Sequence, residues 1–290
     1  NFFTYGEIWE DSQDAESKIA RFIGRNTDLD QEPIGVDAAL DFPLFRHLND
    51  IIKKGAPPVE LEKMFSRRRI AHRKLLSSHG EASRFFVTFL DNHDLDQRFY
   101  FQPPGSPNQL DDQLVLALTC LFCLQGIPCV YYGTEQALHG IGRRREHVRE
   151  ALWGKPQAFA RNNPFYLAVQ ELSAIRRDHP ALRYGRQYFR DLSGNGTDWG
   201  PSEYPNGVIA FSRILDDKEV VVVANTKTQG PDITIHVQVD PDLNSVGSPV
   251  SLLYANPAPG VMPSSVMTIG GRAGVKLVLK PMHVQVFTVT

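Results

Sequence analysis

Two different patterns of apolar residues divide the chain near residue 183. In the first part, short and nearly continuous apolar runs are each followed by polar or acidic residues and then by a helical stretch; the runs are residues 2–5, 36–40, 85–90 and 129–132. Continuous apolar runs are typical of parallel strands that are buried on both faces. Because strands and helices alternate, this part is predicted to be a parallel α/β sheet or barrel.

Beyond residue 185 the apolar residues follow a different pattern. Short runs of alternating or β-branched residues are separated by Gly, Pro, Asn and Asp; the runs are residues 208–214, 219–224, 233–239, 250–254, 275–279 and 284–289. This spacing is typical of an antiparallel β-sandwich. We therefore predict two domains, residues 1–183 and 184–290.

One stretch needs a separate explanation, because residues 114–132 carry no charge and are long enough to span a bilayer. A Gln-Gly-Ile-Pro sequence at residues 125–128 interrupts it, and glycine and proline end helices. We predict a buried helix followed by a buried strand, and no membrane span.

Composition narrows the classes of function. The 290 residues are 42% hydrophobic and 22% charged, which excludes a disordered chain, a collagen-like repeat and a coiled coil. Lys and Arg total 31 against 33 for Asp and Glu, so no surplus of positive charge favours nucleic-acid binding. The three cysteines, Cys120, Cys123 and Cys129, cannot form a disulfide framework. They favour a reducing, cytoplasmic setting, and nothing else in the sequence indicates localisation.

Polar side chains cluster just after the predicted parallel strands. The residues concerned are Glu7, Asp41, Asp91, His93, Asp94 and Glu135. Ligands of parallel α/β folds bind beyond the carboxyl ends of the strands. Carboxyl groups at such an edge suit the cleavage of a glycosidic bond, in which one carboxyl protonates the leaving oxygen. Metal sites use the same residue types, so position alone leaves both interpretations open.

Three motifs carry a resemblance. They are Tyr-Gly-Glu-Ile-Trp at residues 5–9, Phe-Leu-Asp-Asn-His-Asp at residues 89–94, and the stretch from Gln-Gly-Ile-Pro to Tyr-Tyr-Gly-Thr-Glu at residues 125–135. In this order and spacing they resemble the acid/base segment, a later Asn-His-Asp motif and the strand-eight motif of the α-amylase family of retaining glycoside hydrolases. The resemblance implies the second half of a (β/α)8 (TIM) barrel followed by a β-sandwich.

The resemblance also implies roles for individual residues. Glu7 is expected to protonate the leaving glycosidic oxygen and Asp94 to hold the sugar hydroxyls in the transition state. His93 and Arg98 are expected to bind the sugar, and Trp9 to stack on a sugar face. General acids of this kind are partly buried, so Trp9 is also expected to cover Glu7.

The family's nucleophilic Asp and its partner Arg belong to strands that come before the Gly-Glu-Ile-Trp segment. Only five residues come before it here, and four strand–helix units are half of the eight in a barrel. We therefore expect that the nucleophile-bearing N-terminal half is missing from this chain and that the chain alone is inactive. Left with open strand edges, the chain should aggregate, dimerise or recruit that half. No metal site is expected here, since the calcium of family members belongs mainly to the missing half.

Two classes of function stay open. The first is hydrolysis of α-glucosidic bonds in oligo- or polysaccharides, or transfer of the glycosyl group to another sugar. Amylase-like, oligosaccharide-hydrolysing, trehalose-forming and sucrose-acting specificities are not separated by the sequence. The second is a non-catalytic relative that acts as a binding or scaffold protein. The joint presence of Glu7, His93 and Asp94 favours the enzyme.

Overall fold

The computed structural model describes residues 2–10, 12, 14–24, 26–27, 33–72, 81–101, 111–140, 145–155 and 158–289. Its first part alternates short strands with helices: β1 (Tyr5–Gly6), α1 (Ala15–Ala20), β2 (Asn26–Thr27), β3 (Pro33–Ile34), β4 (Ala38–Leu40), α2 (Phe42–Lys54), α3 (Val59–His72), β5 (Phe86–Thr88), α4 (Asp111–Cys123), β6 (Ile127–Pro128), α5 (Arg145–Val148), α6 (Pro164–Asp178) and α7 (Ala181–Tyr184).

Four of these strands form one parallel sheet in the order β1-β4-β5-β6. The predicted parallel α/β arrangement is therefore present. The structure corrects two strand positions. The first strand begins at Tyr5 rather than residue 2. The last is Ile127–Pro128 rather than residues 129–132, and the amide of Cys129 still donates to the carbonyl of Thr88 at 2.8 Å.

Helix α2 shows how local sequence positions an element behind this sheet. The side chain of Asp41 accepts a hydrogen bond from the amide of Leu44 at 3.0 Å, which caps the helix. Pro43 lies in the first turn, where its missing N–H costs nothing. The helix ends at Gly55, whose φ of 74° is in the left-handed region that glycine adopts without strain. The buried side chains of α2 face the sheet and the neighbouring helices.

His72 ends α3 and makes this region acid-sensitive. Its ring stacks on Phe86, with centroids 5.6 Å apart. Burial, with a smaller effect of the cation of Arg68, lowers the pKa of His72 from 6.5 to about 4. Between these values the unfolded chain binds more protons than the folded one, so the free energy of unfolding falls as the pH drops through this window.

We therefore expect His72→Gln to reduce the loss of thermal stability between about pH 7 and about pH 4.5. The exposed His139 supplies the matched control, since His139→Gln should leave that loss unchanged. Equal acid sensitivity of the His72 variant and the unchanged protein would contradict the assignment. Thermal melts followed by circular dichroism supply the measurement.

The second part of the chain consists of strands. They are β7 (Arg186–Phe189), β8 (Leu192–Ser193), β9 (Val208–Leu215), β10 (Lys218–Asn225), β11 (Ile233–Gln238), β12 (Val250–Asn256), β13 (Met267–Ile269), β14 (Arg272–Leu279) and β15 (Val284–Val289). They form two antiparallel sheets, in the orders β12-β15-β10-β9-β7 and β13-β14-β11-β8. All six predicted strands are present, whereas β7, β8 and β13 were not predicted.

One apolar cluster joins the two antiparallel sheets. It contains Val221, Val223 and Phe287 of the five-stranded sheet and Val237 and Leu277 of the four-stranded sheet. All of these side chains are at most 2% exposed. The sheets are therefore held together by a shared apolar interior.

A second apolar cluster extends across the predicted domain boundary. Leu116 and Phe165, in helices α4 and α6, belong to the same cluster as Phe211 and Val222 of the five-stranded sheet. The two parts of the chain therefore pack against each other. The division into domains 1–183 and 184–290 stays a prediction.

The uncharged stretch 114–132 is divided between α4, the strand β6 and the residues after it. Within the part of the chain that the structure describes, no helix combines the length and apolarity needed to cross a membrane. Cys120 and Cys123 are buried free thiols in α4, and burial raises the pKa of both. Protonated, buried thiols of this kind are unreactive.

Candidate active site

The candidate site lies at one edge of the parallel sheet. Glu7 directly follows β1, and His93 and Asp94 follow β5 after a short turn. Because the four strands are parallel and in register with their neighbours, their carboxyl ends meet at the same edge. The fold thus brings Glu7, His93 and Asp94 to the edge where parallel α/β proteins bind ligands.

Glu7 is more open to solvent than expected for a general acid. Its side chain is exposed, and Trp9 is 59% exposed. The indole of Trp9 lies against the ring of Phe42, with centroids 4.7 Å apart. The expectation that Glu7 is partly buried is therefore wrong for this chain. The reason is that β1 is an edge strand of the described sheet, with β4 on one side.

Asp94 is held by two neighbouring groups. Its Oδ2 lies 3.2 Å from Nε2 of His93, and its Oδ1 accepts a hydrogen bond from Nη2 of Arg149 at 2.7 Å. Nε of Arg149 also donates to the main-chain carbonyl of His93 at 2.9 Å. The amide of Asp94 donates to Oδ1 of Asn92 at 2.9 Å. The position of the Asp94 carboxylate is therefore defined from both sides.

Arg149 was not predicted from the sequence. It lies 55 positions after Asp94, in a segment without a motif that the resemblance singles out. The sequence shows only that Arg149 is a charged residue in the segment after the last parallel strand. Many surface arginines fit that description, so it does not indicate a site residue. The contact with Asp94 requires the tertiary structure.

Arg98 is placed differently from the expected sugar contact. It is 1% exposed. Its Nη1 donates to the carbonyl of Tyr132 at 2.7 Å and its Nη2 to the carbonyl of Val148 at 2.8 Å. The guanidinium carbon also lies 4.4 Å from the ring centroid of Tyr131. With its terminal nitrogens engaged by the main chain, Arg98 faces the protein rather than an open cleft.

Three further carboxylates at the strand ends serve the fold. Asp91 is 2% exposed and accepts hydrogen bonds from the amide of Phe99 at 3.0 Å and the hydroxyl of Thr134 at 2.8 Å. Burial raises the pKa of Asp91. Asp41 caps α2, and Glu135 accepts from the amide of Gly133 at 2.8 Å. These carboxylates fix the loops around the site.

Among the described residues, no group of three or more His, Cys, Asp and Glu side chains is arranged to hold a metal ion. The expectation that calcium belongs to a half of the enzyme outside this chain stays a prediction. The chemistry that the described edge can perform is proton transfer and hydrogen bonding by Glu7, His93 and Asp94.

Known proteins with similar sequences are named as cyclomaltodextrin glucanotransferases and as an α-amylase. The chain is 36% identical over 149 residues to a cyclomaltodextrin glucanotransferase of Geobacillus stearothermophilus, a match that covers 51% of this chain and 17% of that protein. It is 36% identical over 140 residues to an α-amylase of Niallia circulans, covering 48% of this chain and 22% of that one. The chain therefore spans less than a quarter of these curated relatives. No family model matches it.

Solved structures extend the similarity to the whole chain. The α-amylase of Geobacillus thermoleovorans complexed with acarbose superposes with a TM-score of 0.65 at 19% identity, over 100% of this chain and 53% of that one. A γ-cyclomaltodextrin glucanotransferase of Bacillus clarkii gives 0.64 at 19% identity, over 99% and 36%. At these identities the structures show a shared fold. In sequence and in fold the chain is thus related to the enzymes of the α-amylase family, and the resemblance predicted from its motifs is confirmed.

Proposed function

We propose that this chain is the C-terminal portion of a retaining enzyme that hydrolyses α-glucosidic bonds or transfers the glycosyl group to another sugar. The observation that carries the proposal is the placement of Glu7, His93 and Asp94 at one edge of the parallel sheet, with Asp94 held by Arg149 at 2.7 Å. Relatives named as an α-amylase and as glucanotransferases support both the hydrolytic and the transfer reaction.

The proposal includes a finer description of the fold. The four adjacent parallel strands β1-β4-β5-β6 are the second half of a (β/α)8 barrel, which needs eight. The two antiparallel sheets are a β-sandwich domain that follows it. Support comes from the unbroken spatial order of the parallel strands and from the apolar cluster between the antiparallel sheets.

In the proposed reaction, Glu7 gives its proton to the leaving glycosidic oxygen as the bond to the sugar C1 breaks. A carboxylate nucleophile from the other half of the barrel bonds to C1, and it has to lie roughly 5–5.5 Å from the acid. Water or a sugar hydroxyl then attacks C1, displaces that carboxylate and gives its proton to Glu7. Asp94 and His93 bind sugar hydroxyls, and these hydrogen bonds strengthen in the transition state.

The N-terminal half is the proposed partner of this chain. It would lie beside β1, where Phe2, Phe3 and Tyr5 are 89%, 53% and 53% exposed. Covering this surface would also bury Glu7 and Trp9, which would supply the desolvation that a general acid needs. An α-linked oligo- or polysaccharide is the proposed substrate.

A binding or scaffold role is the alternative function, favoured by the exposure of Glu7. An activity assay of the complete protein distinguishes the two proposals. The complete protein is assayed on soluble starch, maltotriose, sucrose and trehalose, and products are separated into free sugars and newly linked glycosides. Turnover of any of these supports the enzyme, and a folded complete protein without turnover supports the alternative.

Asp94→Asn in the complete enzyme is expected to lower kcat/KM by about 10²–10³-fold. The amide keeps the size of the side chain but loses the charge that binds Arg149 and faces the transition state. The exposed Asp96, two positions on, is the matched control, and Asp96→Asn should change kcat/KM by less than about twofold. Equal effects of the two substitutions would remove Asp94 from the proposed mechanism.

A further inference from the structure

A segment after the parallel sheet forms a wall beside the candidate site. We name residues 146–155 the rim segment. Glu150 supplies one of its attachments to the rest of the protein, and an ion pair within the segment. The carbonyl of Glu150 accepts a hydrogen bond from the hydroxyl of Tyr132 at 2.9 Å, and its carboxylate accepts one from the amide of Gly140 at 3.1 Å and pairs with Lys155. The rim segment is thus attached to the residues that follow β6.

Arg98 attaches the rim segment at a second point. Its Nη2 donates to the carbonyl of Val148, while its Nη1 donates to the carbonyl of Tyr132. The hydroxyl of Tyr131 reaches the same Val148 carbonyl at 3.2 Å. Val148 is 1% exposed, so this carbonyl is held away from competing water.

The residue after Val148 is Arg149, which contacts Asp94. The side chain of Arg149 is 49% exposed, and holding a long, half-exposed side chain in one conformation costs entropy. A fixed main chain at Val148 reduces the number of conformations that Arg149 can take. The bonds made by Arg98 therefore determine where the Arg149 guanidinium can reach.

We propose that Arg98 is a positioning residue of the reaction: by holding the carbonyl of Val148 it places Arg149 against Asp94, and it does not itself contact the sugar. The proposal rests on the function proposed above for Asp94. The competing explanation is that Arg98 stabilises the fold without any particular connection to Arg149.

Arg213 allows these explanations to be separated. It is also buried, and it donates to two main-chain carbonyls, those of Cys123 and Gly185, each at 2.9 Å. Its bonds join α4 to the end of α7 and lie outside the rim segment. Arg213→Met is therefore matched to Arg98→Met in burial and in the number of carbonyls that lose a donor.

The first experiment is a double-mutant cycle in the complete enzyme with maltotriose as substrate. Arg98→Met is expected to lower kcat/KM by about tenfold, because small displacements of a substrate-facing group reduce rate strongly. Combined with Arg149→Met, it should lower kcat/KM by no more than about twofold beyond Arg149→Met alone, since residues that act through one another are not additive. Arg98→Lys should recover part of the loss, because its ammonium can still donate to a carbonyl.

Arg213→Met should lower the melting temperature, leave kcat/KM of the folded enzyme unchanged and combine additively with Arg149→Met. The proposal is overturned if the effects of Arg98→Met and Arg149→Met multiply. It is also overturned if Arg98→Met lowers the melting temperature without changing kcat/KM, as expected of Arg213→Met.

A second measurement does not depend on glycosidase activity. Trypsin cleaves after Arg149, and Arg98→Met should raise the cleavage rate there about tenfold under conditions in which the rate reports local opening. Cleavage after the exposed Lys218 and cleavage at Arg149 in the Arg213→Met protein are the references. Unchanged cleavage at Arg149 would overturn the proposal. A complete protein without turnover would refute the proposed function, and the trypsin result would still decide whether Arg98 holds the rim segment.

Discussion

Glu7→Gln in the complete enzyme is expected to lower kcat on starch or maltotriose by about 10²–10⁴-fold, the usual contribution of a general acid. Glutamine keeps the shape of the side chain but has no proton to give to the glycosidic oxygen. KM should change much less than kcat, because the lost interaction belongs to the transition state.

The leaving group provides a sharper readout for the same variant. α-Glucosyl fluoride needs little help from an acid, because fluoride leaves as a stable anion. Formation of the covalent intermediate from this substrate should therefore be nearly as fast in the Glu7→Gln enzyme as in the unchanged enzyme. An equal loss on fluoride and on maltotriose would show that Glu7 has a role other than protonation.

Glu10 serves as the matched control for Glu7. It lies three positions on, and its carboxylate is 3.2 Å from Nζ of Lys18 in a partly exposed pair. Ion pairs of this kind on the surface contribute little to stability, because water and salt screen them. Glu10→Gln should therefore leave kcat within about twofold of the unchanged enzyme.

The largest expected effect on stability concerns Arg68. Its guanidinium pairs with both carboxylate oxygens of Asp41, at 2.8 and 2.6 Å, and the two side chains are 1% and 0% exposed. The guanidinium carbon also lies 4.2 Å from the ring centroid of Phe86. Arg68→Met leaves the buried Asp41 charge without its cation, which typically costs about 3–5 kcal/mol. That is a large fraction of the roughly 5–15 kcal/mol of a folded domain.

A second substitution tests the physical reason for this loss. Asn at position 41 carries no charge and can still cap α2. The double variant Asp41→Asn, Arg68→Met should therefore be more stable than Arg68→Met alone, as measured by urea denaturation of the complete protein. A double variant that is less stable would mean that the buried charge is not the cause. The exposed pair of Lys63 and Glu60, at 2.8 Å, is the control, since Lys63→Met should cost about 1 kcal/mol or less.

Five of the six strands predicted in the antiparallel sheets have neighbours on both sides, and β12 at the edge of its sheet is the sixth. In the five-stranded sheet β10 lies between β15 and β9, and Val220–Ala224 within it form a continuous, buried apolar run. The strands of the antiparallel sheets that were not predicted, β7, β8 and β13, lie at the edges of their sheets. β7 alternates between exposed and half-buried positions, and an edge strand of this kind needs few apolar residues.

The position of the last parallel strand depends on a contact that no sequence pattern records. Gly126 has a φ of 134°, and a Cβ there would lie 2.9 Å from the carbonyl oxygen of Phe86. Glycine is therefore needed where the chain passes close to β5, and β6 begins directly after it. The apolar run that continues to Tyr132 suggested a strand two residues further on.

Local sequence determined which residues could form the candidate site. Glu7, His93 and Asp94 follow apolar runs that become parallel strands, and parallel strands place their carboxyl ends at one edge whatever the details of packing. Strand position alone did not separate these residues from Asp41 and Asp91, whose carboxylates are engaged by neighbouring donors in the structure. Side-chain type and the presence of a strand before each of these residues are properties of local sequence, so they could be predicted.

The tertiary structure alone decided what each charged side chain touches. Arg98 and Arg149 are both arginines near the same edge. One is buried against main-chain carbonyls and the other lies half-exposed on Asp94. Whether an arginine binds main-chain carbonyls or Asp94 depends on where the segment around Val148 packs against the sheet. That packing includes the bond from Arg98 to the carbonyl of Val148, between residues 50 positions apart. The sequence by itself determined the presence of the parallel strands, the inner strands of the antiparallel sheets and the family resemblance. Apolar runs and motifs are short stretches of neighbouring residues, so they can be recognised without the fold. Burial of a charge and the partner that compensates it depend on long-range packing, so only the folded chain shows them.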